Sequence, residues 1–172
     1  MSQKGQNNGN RDASFLSFII AQRLSELVIA KRNTARLLEK GAYEVGAEHY
    51  PVMVGMHSLW IACLLFLGYG ESVSYGWLAL FAVLQVLRIW ILGTLGARWT
   101  TRVIILPEPL VVAGPFKYLK HPNYTFVVAE IIVAPMVLGL FWVAAIFTVL
   151  NAAMLYVRIG VEDKALAELR TK

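Results

Sequence analysis

An all-α integral membrane fold of about five transmembrane helices is predicted by three observations. Apolar residues make up 58% of the 172 and charged residues only 16%, more grease than a soluble core requires. The apolar residues gather into runs of about 20, the length that crosses a bilayer. The basic residues concentrate in alternate loops, as they do in multi-pass proteins. With short connections between the runs, residues 1–172 read as a single membrane domain without a separate soluble module.

The first fourteen residues are polar, rich in Gln, Asn and Gly, and lack the apolar core of a secretory signal, so residues 1–14 are expected to be a disordered tail. Span one follows from about Ala13 to Ala30 and carries Arg23 and Glu26 three residues apart, where they can neutralise each other on one helical face. The helix continues into a basic stretch with Lys31, Arg32, Arg36 and Lys40, and Gly41 offers a stop. Pro51 suits the first turn of span two, about Tyr50 to Tyr69. A short link containing Glu71 forces span three, about Tyr75 to Leu95, to run antiparallel to it.

From Gly96 to His121 the helical pattern breaks. The β-branched run Val103-Ile104-Ile105 and the run Leu110-Val111-Val112 flank Pro107-Glu108-Pro109 and read as two extended segments around a proline turn. Span four (about Pro122 to Leu138) and span five (about Phe141 to Ile159) are separated by little more than Gly139 and form a C-terminal helical hairpin. The final dozen residues read as a short amphipathic C-terminal helix.

The lone Cys63 sits in an apolar run, which excludes an internal disulfide framework. The net charge of +5 comes from loops beside apolar runs, so it reads as membrane topology and headgroup attraction; no nucleic-acid partner and no metal site are expected. The loops after spans one and three and the C-terminal tail carry the basic residues, which places these three segments, and the C-terminus, on the cytoplasmic face.

Two charged clusters stand out. Gly114-Pro115-Phe116-Lys117-Tyr118-Leu119-Lys120-His121-Pro122-Asn123-Tyr124 lies at the mouth of span four, and Arg158-x-x-x-Glu162-Asp163 lies where span five runs out. The hairpin returns the second cluster beside the first. Asn151, Arg158 and Glu162 are spaced by seven and four, which puts them on one helical stripe. Glu130 lies about two turns inside span four, where an ionised carboxylate needs a partner, and Arg88 near the inner end of span three is the expected one. His57 in span two reads as a polar contact between helices.

From Leu95-Gly96-x-Arg98-Trp99 through the Gly114–Tyr124 stretch to Glu130, Asn151 and Arg158–Leu166, the C-terminal half resembles the isoprenylcysteine carboxyl methyltransferase family of membrane methyltransferases. The family's Arg-His-Pro appears as Lys120-His121-Pro122, the glycine usually two residues after the tyrosine is Phe126, and the paired glutamates are Glu162-Asp163. These departures, with Arg32-Asn33 and His49-Tyr50-Pro51, resemble a short bacterial branch, some members of which methylate alkylpyrones or alkylresorcinols made by type III polyketide synthases.

The resemblance implies S-adenosylmethionine as cofactor, held within 95–170 by Gly114, Pro115, Tyr118, Leu119, His121, Pro122, Tyr124, Glu162 and Asp163. It implies catalytic roles for Arg158, Glu130 and Asn151, and a lipophilic small-molecule acceptor arriving from the lipid bilayer of the bacterial cytoplasmic membrane. A functional link to a type III polyketide synthase follows the same resemblance. The absence of a glycine-rich strand-turn-helix argues against a soluble dinucleotide-type site.

Methyl transfer from a sulfonium needs alignment and exclusion of water more than a strong base. A carboxylate or an acidic pyrone enol would need only a cation such as Arg158, whereas a resorcinol phenol would need help from Glu130 or His57. A steroid-type membrane reductase using a nicotinamide cofactor, and a non-enzymatic membrane partner of a lipid or polyketide pathway, remain the alternatives at this point.

Overall fold

The computed structural model describes residues 3–170, with side chains described for 11–167. Five helices follow one another: α1 (Gln3–Glu39), α2 (Tyr50–Gly68), α3 (Tyr75–Leu95), α4 (Pro122–Val137) and α5 (Phe141–Arg170). Four contain a stretch long and apolar enough to cross a membrane, within Arg11–Glu39, Ala47–Gly68, Tyr75–Arg98 and Phe141–Ala167. The chain is thus a multi-pass membrane protein with an all-α core. The fifth expected span is shorter: α4 has 16 residues, about 24 Å of helix against a hydrocarbon core of roughly 30 Å.

The punctuation read from the sequence governs the helix ends. Pro51 occupies the first turn of α2 and Pro122 that of α4, where a missing amide hydrogen costs nothing. Gly41 (φ 87°) and Gly139 (φ 70°) adopt left-handed conformations just past the ends of α1 and α4. The amide of Ser74 donates to Val137 O at 2.8 Å, so the C-terminal end of α4 is level with the α2–α3 turn. Measured from that shared level, α4 begins five residues short of the 21-residue α3, leaving a recess about 7 to 8 Å deep at the other end of the bundle.

Three expectations are corrected. The first helix starts earlier than the expected Ala13: α1 is helical from Gln3, and Met1 and Ser2 lie outside the described residues. The composition is polar, but Asp12 is fully buried and accepts the Gly70 amide, while Arg11 donates to the Tyr75 hydroxyl. These contacts tie α1 to the α2–α3 turn and offset the cost of ordering the segment.

Among the described residues there is no separate amphipathic C-terminal helix. α5 continues without a break for 30 residues, because nothing between Ile159 and Arg170 interrupts helical geometry and Ala165 finds apolar cover. That cover is a two-stranded antiparallel ribbon of β1 (Tyr43–Val45) and β2 (Val103–Ile105), paired Tyr43 to Ile105 and Val45 to Val103. Val103, Ile105 and Ala165 form a small second core with Val45 and Leu166. The third correction concerns Leu110-Val111-Val112, which is not a strand; β2 pairs with the segment after α1. The ribbon joins the loop after α1, the loop after α3 and the end of α5 at one end of the bundle.

Inside the bundle, four buried or nearly buried charges from three helices neutralise one another. Arg23 pairs with Glu26 at 3.0 Å, as its spacing predicts, and also with Glu130. Arg88 does not meet Glu130. It makes a two-point contact with Glu26, Nε to Oε1 at 2.9 Å and Nη2 to Oε2 at 2.8 Å, and its Nη1 donates to Asn123 Oδ1 at 3.0 Å. The Arg88 guanidinium lies over the rings of Phe126 and Trp99, and Arg23 lies over Trp60.

Two predictions follow from these contacts. Glu26→Gln leaves Arg23 with Glu130 alone and Arg88 buried without a carboxylate, and is expected to cost about 3–5 kcal/mol. Glu26→Gln combined with Arg88→Met should cost less than Glu26→Gln alone, read as thermal unfolding midpoints in detergent. Gly114→Ala is expected to destabilise by about 1–3 kcal/mol, because Gly114 has φ 52° and a Cβ there would stand 2.6 Å from Thr94 Oγ1. Gly93→Ala, with open space around its Cα, should be neutral or stabilising in the same assay.

Candidate active site

The recess above α4 is a cavity of about 310 Å³ whose walls come from every helix. α1 contributes Arg23, Glu26 and Leu27; α2 contributes Tyr50, Met53, Val54 and His57; α3 and the loop after it contribute Arg88, Trp99 and Thr101. The start of α4 supplies His121, Asn123 and Tyr124, and α5 supplies Asn151, Arg158 and Glu162. Its volume is at the small end of the range for small-molecule sites, roughly 300–1,000 Å³, and its mix of aromatic walls with a few convergent polar groups is typical of them. Leu27 and Val54 line the cavity and are also exposed on the outer surface of α1 and α2, so the cavity borders the lipid-facing surface.

The two charged clusters do meet. Lys120 Nζ contacts Asp163 Oδ2 at 2.7 Å, His121 Nε2 lies 3.4 Å from Asp163 Oδ1, and His121 Nδ1 lies 4.0 Å from Glu162 Oε1. The Tyr124 hydroxyl donates to Glu162 Oε2 at 2.6 Å, and the His121 ring stacks on Tyr124 with centroids 5.5 Å apart. Pro122 fixes the first turn of α4, which sets His121 and Tyr124 on the same side. The i,i+4 spacing of Arg158 and Glu162 does not produce an ion pair. Glu162 turns to Tyr124, and Arg158 turns inward.

Arg158 is only 6% exposed, and no carboxylate lies within 4 Å of it among the described residues. Its Nη2 donates to Thr101 O at 2.9 Å, its Nη1 contacts Met53 Sδ at 2.9 Å, its guanidinium lies 5.9 Å from the Tyr124 ring centroid, and its Nε has no partner. Asn151 is 1% exposed with Nδ2 unpartnered, one and a half to two turns along the same stripe of α5. His121 Nε2 and Asp163 Oδ1 are likewise buried without a well-aligned bond. Orphaned polar atoms of this kind are rare in folded proteins and mark ligand positions when they converge.

Other expected site residues stand elsewhere. Glu130 is buried in its pair with Arg23 and does not line the cavity. Tyr118 and Leu119 are exposed on the outer side of the loop. Gly114 and Pro115 lie behind the wall, where Gly114 lets the backbone pass close to Trp90 and Thr94. Conversely, Met53 and Thr101 reach the cavity unannounced by the sequence, since a methionine and a backbone carbonyl carry no motif, and Tyr50, of His49-Tyr50-Pro51, reaches it too. Arg23 and Glu26 were visible as charges in an apolar run, but not as walls. Asn33, of the pair Arg32-Asn33, is buried and holds the loop after α3 by donating to Trp99 O at 2.9 Å and Gly96 O at 3.2 Å.

Comparison with known proteins agrees with this construction. The model of the isoprenylcysteine carboxyl methyltransferase (ICMT) family matches residues 77–168, which span α3, the loop, α4 and most of α5. The chain is 37% identical over 163 residues to a Bacillus subtilis (strain 168) protein named "Uncharacterized protein YpbQ", covering 91% of this chain and 97% of that one. It is 25% identical over 161 residues to an "Uncharacterized protein" of Haemophilus influenzae (strain ATCC 51907 / DSM 11121 / KW20 / Rd), covering 90% and 94%. No solved structure gives a significant match. Because the family model covers more than half of the chain and takes in both charged clusters, the chain belongs to the isoprenylcysteine carboxyl methyltransferase family and is an S-adenosylmethionine-dependent methyltransferase acting on a hydrophobic substrate.

Proposed function

We propose that the chain is an O-methyltransferase of the bacterial cytoplasmic membrane. It methylates an acidic oxygen on a long-tailed small molecule, of the alkylpyrone or alkylresorcinol kind or of the prenylcysteine carboxylate kind, with the ribbon end of the bundle and the C-terminus facing the cytoplasm. One observation carries this reading. Arg158 is a buried cation without a carboxylate partner, and it faces a cavity that borders lipid. A buried guanidinium in that state is stabilised when an anionic oxygen reaches it.

The donor set suits S-adenosylmethionine. Its ammonium matches the carboxylates of Glu162 and Asp163, and its carboxylate matches the side of His121 and Lys120. The rings of Tyr124, Trp99 and Phe116 line the same cavity and suit a sulfonium and a flat base. When bound, the cofactor supplies an electrophilic methyl group. The protein's own part is to hold the acceptor oxygen at Arg158 and Asn151, to keep Glu162 oriented through Tyr124, and to exclude water with the apolar side chains of Leu27, Val54 and Met53. Gly114, Pro115 and Pro122 position the loop without touching either reactant. Arg88, Asn123 and Trp99 form the floor, through Arg88 Nη1 at 3.0 Å and Trp99 Nε1 at 3.3 Å from Asn123 Oδ1. A type III polyketide synthase is a source of the pyrone or resorcinol acceptor class.

Purified protein in detergent is expected to bind S-adenosylmethionine and its demethylated product saturably, measured by calorimetry. Glu162→Gln and His121→Ala should abolish or severely weaken that binding. Arg158→Ala should leave it within a few fold while lowering kcat/KM for the acceptor by about 10²–10³, followed with methyl-labelled cofactor. Release of methanol by mild base identifies a methyl ester, and resistance identifies an ether. Equal loss of cofactor binding in all three variants overturns the division of roles.

A further inference from the structure

His57 lines the cavity and has no role in the site described above. It stands on α2, one turn beyond Met53, and its Nδ1 lies 3.0 Å from Met53 O. A carbonyl oxygen can only accept, so Nδ1 carries the ring hydrogen and Nε2 is left with the lone pair. Among the described residues no hydrogen bond occupies Nε2, and the side chain lines the cavity. The same Met53 holds Arg158 through its sulfur at 2.9 Å. One residue therefore anchors both the guanidinium and the imidazole on the wall of a single cavity.

We propose that His57 Nε2 is the proton acceptor for hydroxyl substrates, acting beside Arg158. The proposal rests on the reading of Arg158 as the group that holds the acceptor oxygen. In the step it describes, the acceptor O–H bond breaks and its proton goes to Nε2. The new O–CH3 bond forms as the sulfonium S–CH3 bond breaks, with that electron pair returning to sulfur. One positive charge is present before the step, on sulfur, and one after it, on the imidazolium. Arg158 balances the negative charge that develops on oxygen in between.

The geometry also explains why Glu130 does not serve. Its carboxylate is committed to Arg23 outside the cavity wall. The charged and titratable groups that share the cavity with His57 are Arg23 and Glu26 from α1, Tyr50 from α2, Arg88 from α3, Arg98, Arg102, Lys120 and His121 from the loop between α3 and α4, Tyr124 from α4, and Arg158 and Glu162 from α5. Glu26 is held by Arg23 and Arg88, Glu162 by Tyr124, and His121 faces Asp163 and Glu162, which leaves the Nε2 lone pair of His57 as an acceptor on the cavity wall that no hydrogen bond among the described residues occupies.

The test is His57→Gln in the full-length protein in detergent, with two acceptors of matched tail length: a 5-alkylresorcinol, whose phenol ionises near pH 10, and a 6-alkyl-4-hydroxy-2-pyrone, ionised at neutral pH. At pH 7 the variant is expected to lose about 10²–10⁴-fold in kcat on the resorcinol and less than about threefold on the pyrone. Its resorcinol rate should climb as pH approaches the phenol pKa, whereas wild type should depend on pH less steeply. Unchanged binding of the demethylated cofactor product confirms that the variant is folded. Equal losses on both acceptors, or no loss on either, overturn the role of His57. So does a wild-type protein that methylates the pyrone and not the resorcinol, and that outcome leaves the Arg158 reading standing. Wild-type protein that methylates no acidic oxygen in either probe or in a prenylcysteine carboxylate overturns both.

Discussion

The architecture depends on placing four charges inside a membrane domain without leaving any of them alone. Arg23, Glu26, Arg88 and Glu130 sum to zero and are contributed by α1, α3 and α4. Each guanidinium also rests on an aromatic face. The desolvation penalty of such ions is several kcal/mol apiece, so the three helices are stable together only in the register that brings all four side chains within bonding distance. This is a constraint on geometry more than a source of net stability. It fixes where α1 stands relative to α4, and thereby closes one side of the cavity.

Against that neutral network, Arg158 is an exception with a use. The bundle could have given it a carboxylate at i+4, and Glu162 is at that spacing, yet the tyrosine at the start of α4 takes Glu162 instead. The result is a cavity with a cation at Arg158 and a carboxylate at Glu162, both against the Tyr124 side chain. A zwitterionic cofactor and an acidic acceptor find complementary charge there, and the apolar border at Leu27 and Val54 receives a hydrocarbon tail. The shallow start of α4 makes room for this arrangement beneath the level where α3 ends.

Much of the fold was legible in the sequence, because the helix ends are marked by residues with unambiguous backbone preferences. Pro51, Pro122, Gly41 and Gly139 punctuate as their chemistry requires, and the spans between them match the helices to within a few residues, apart from the two ends of the chain. What failed was information carried by long-range contacts. The early start of α1 was missed, since the contacts of Arg11 and Asp12 lie about 60 residues away at Tyr75 and Gly70. Arg88 was matched with Glu130 on depth alone, whereas Glu26, already assigned to Arg23, accepts from both arginines. The clusters at Lys120–Tyr124 and Arg158–Asp163 were legible because charge at the end of an apolar run is conspicuous. Met53 and Thr101 were not, because each acts through an atom that any apolar or neutral segment contains.

The three-residue spacing of Arg23 and Glu26 bears on how such a protein is made. α1 leaves the ribosome well before Arg88 and Glu130 have been synthesised, so its two ions must tolerate lipid, or the translocation machinery, unaided. Being neighbours on one helical face, they can satisfy each other during that interval. Arg88 then brings one positive charge with the third helix and Glu130 one negative charge with the fourth, so the pair is converted to a tetrad as the later helices arrive. Biosynthesis thereby proceeds through states in which Glu26 need not be solitary in hydrocarbon, and α5, made after the other four helices, adds the cation and carboxylate that complete the pocket.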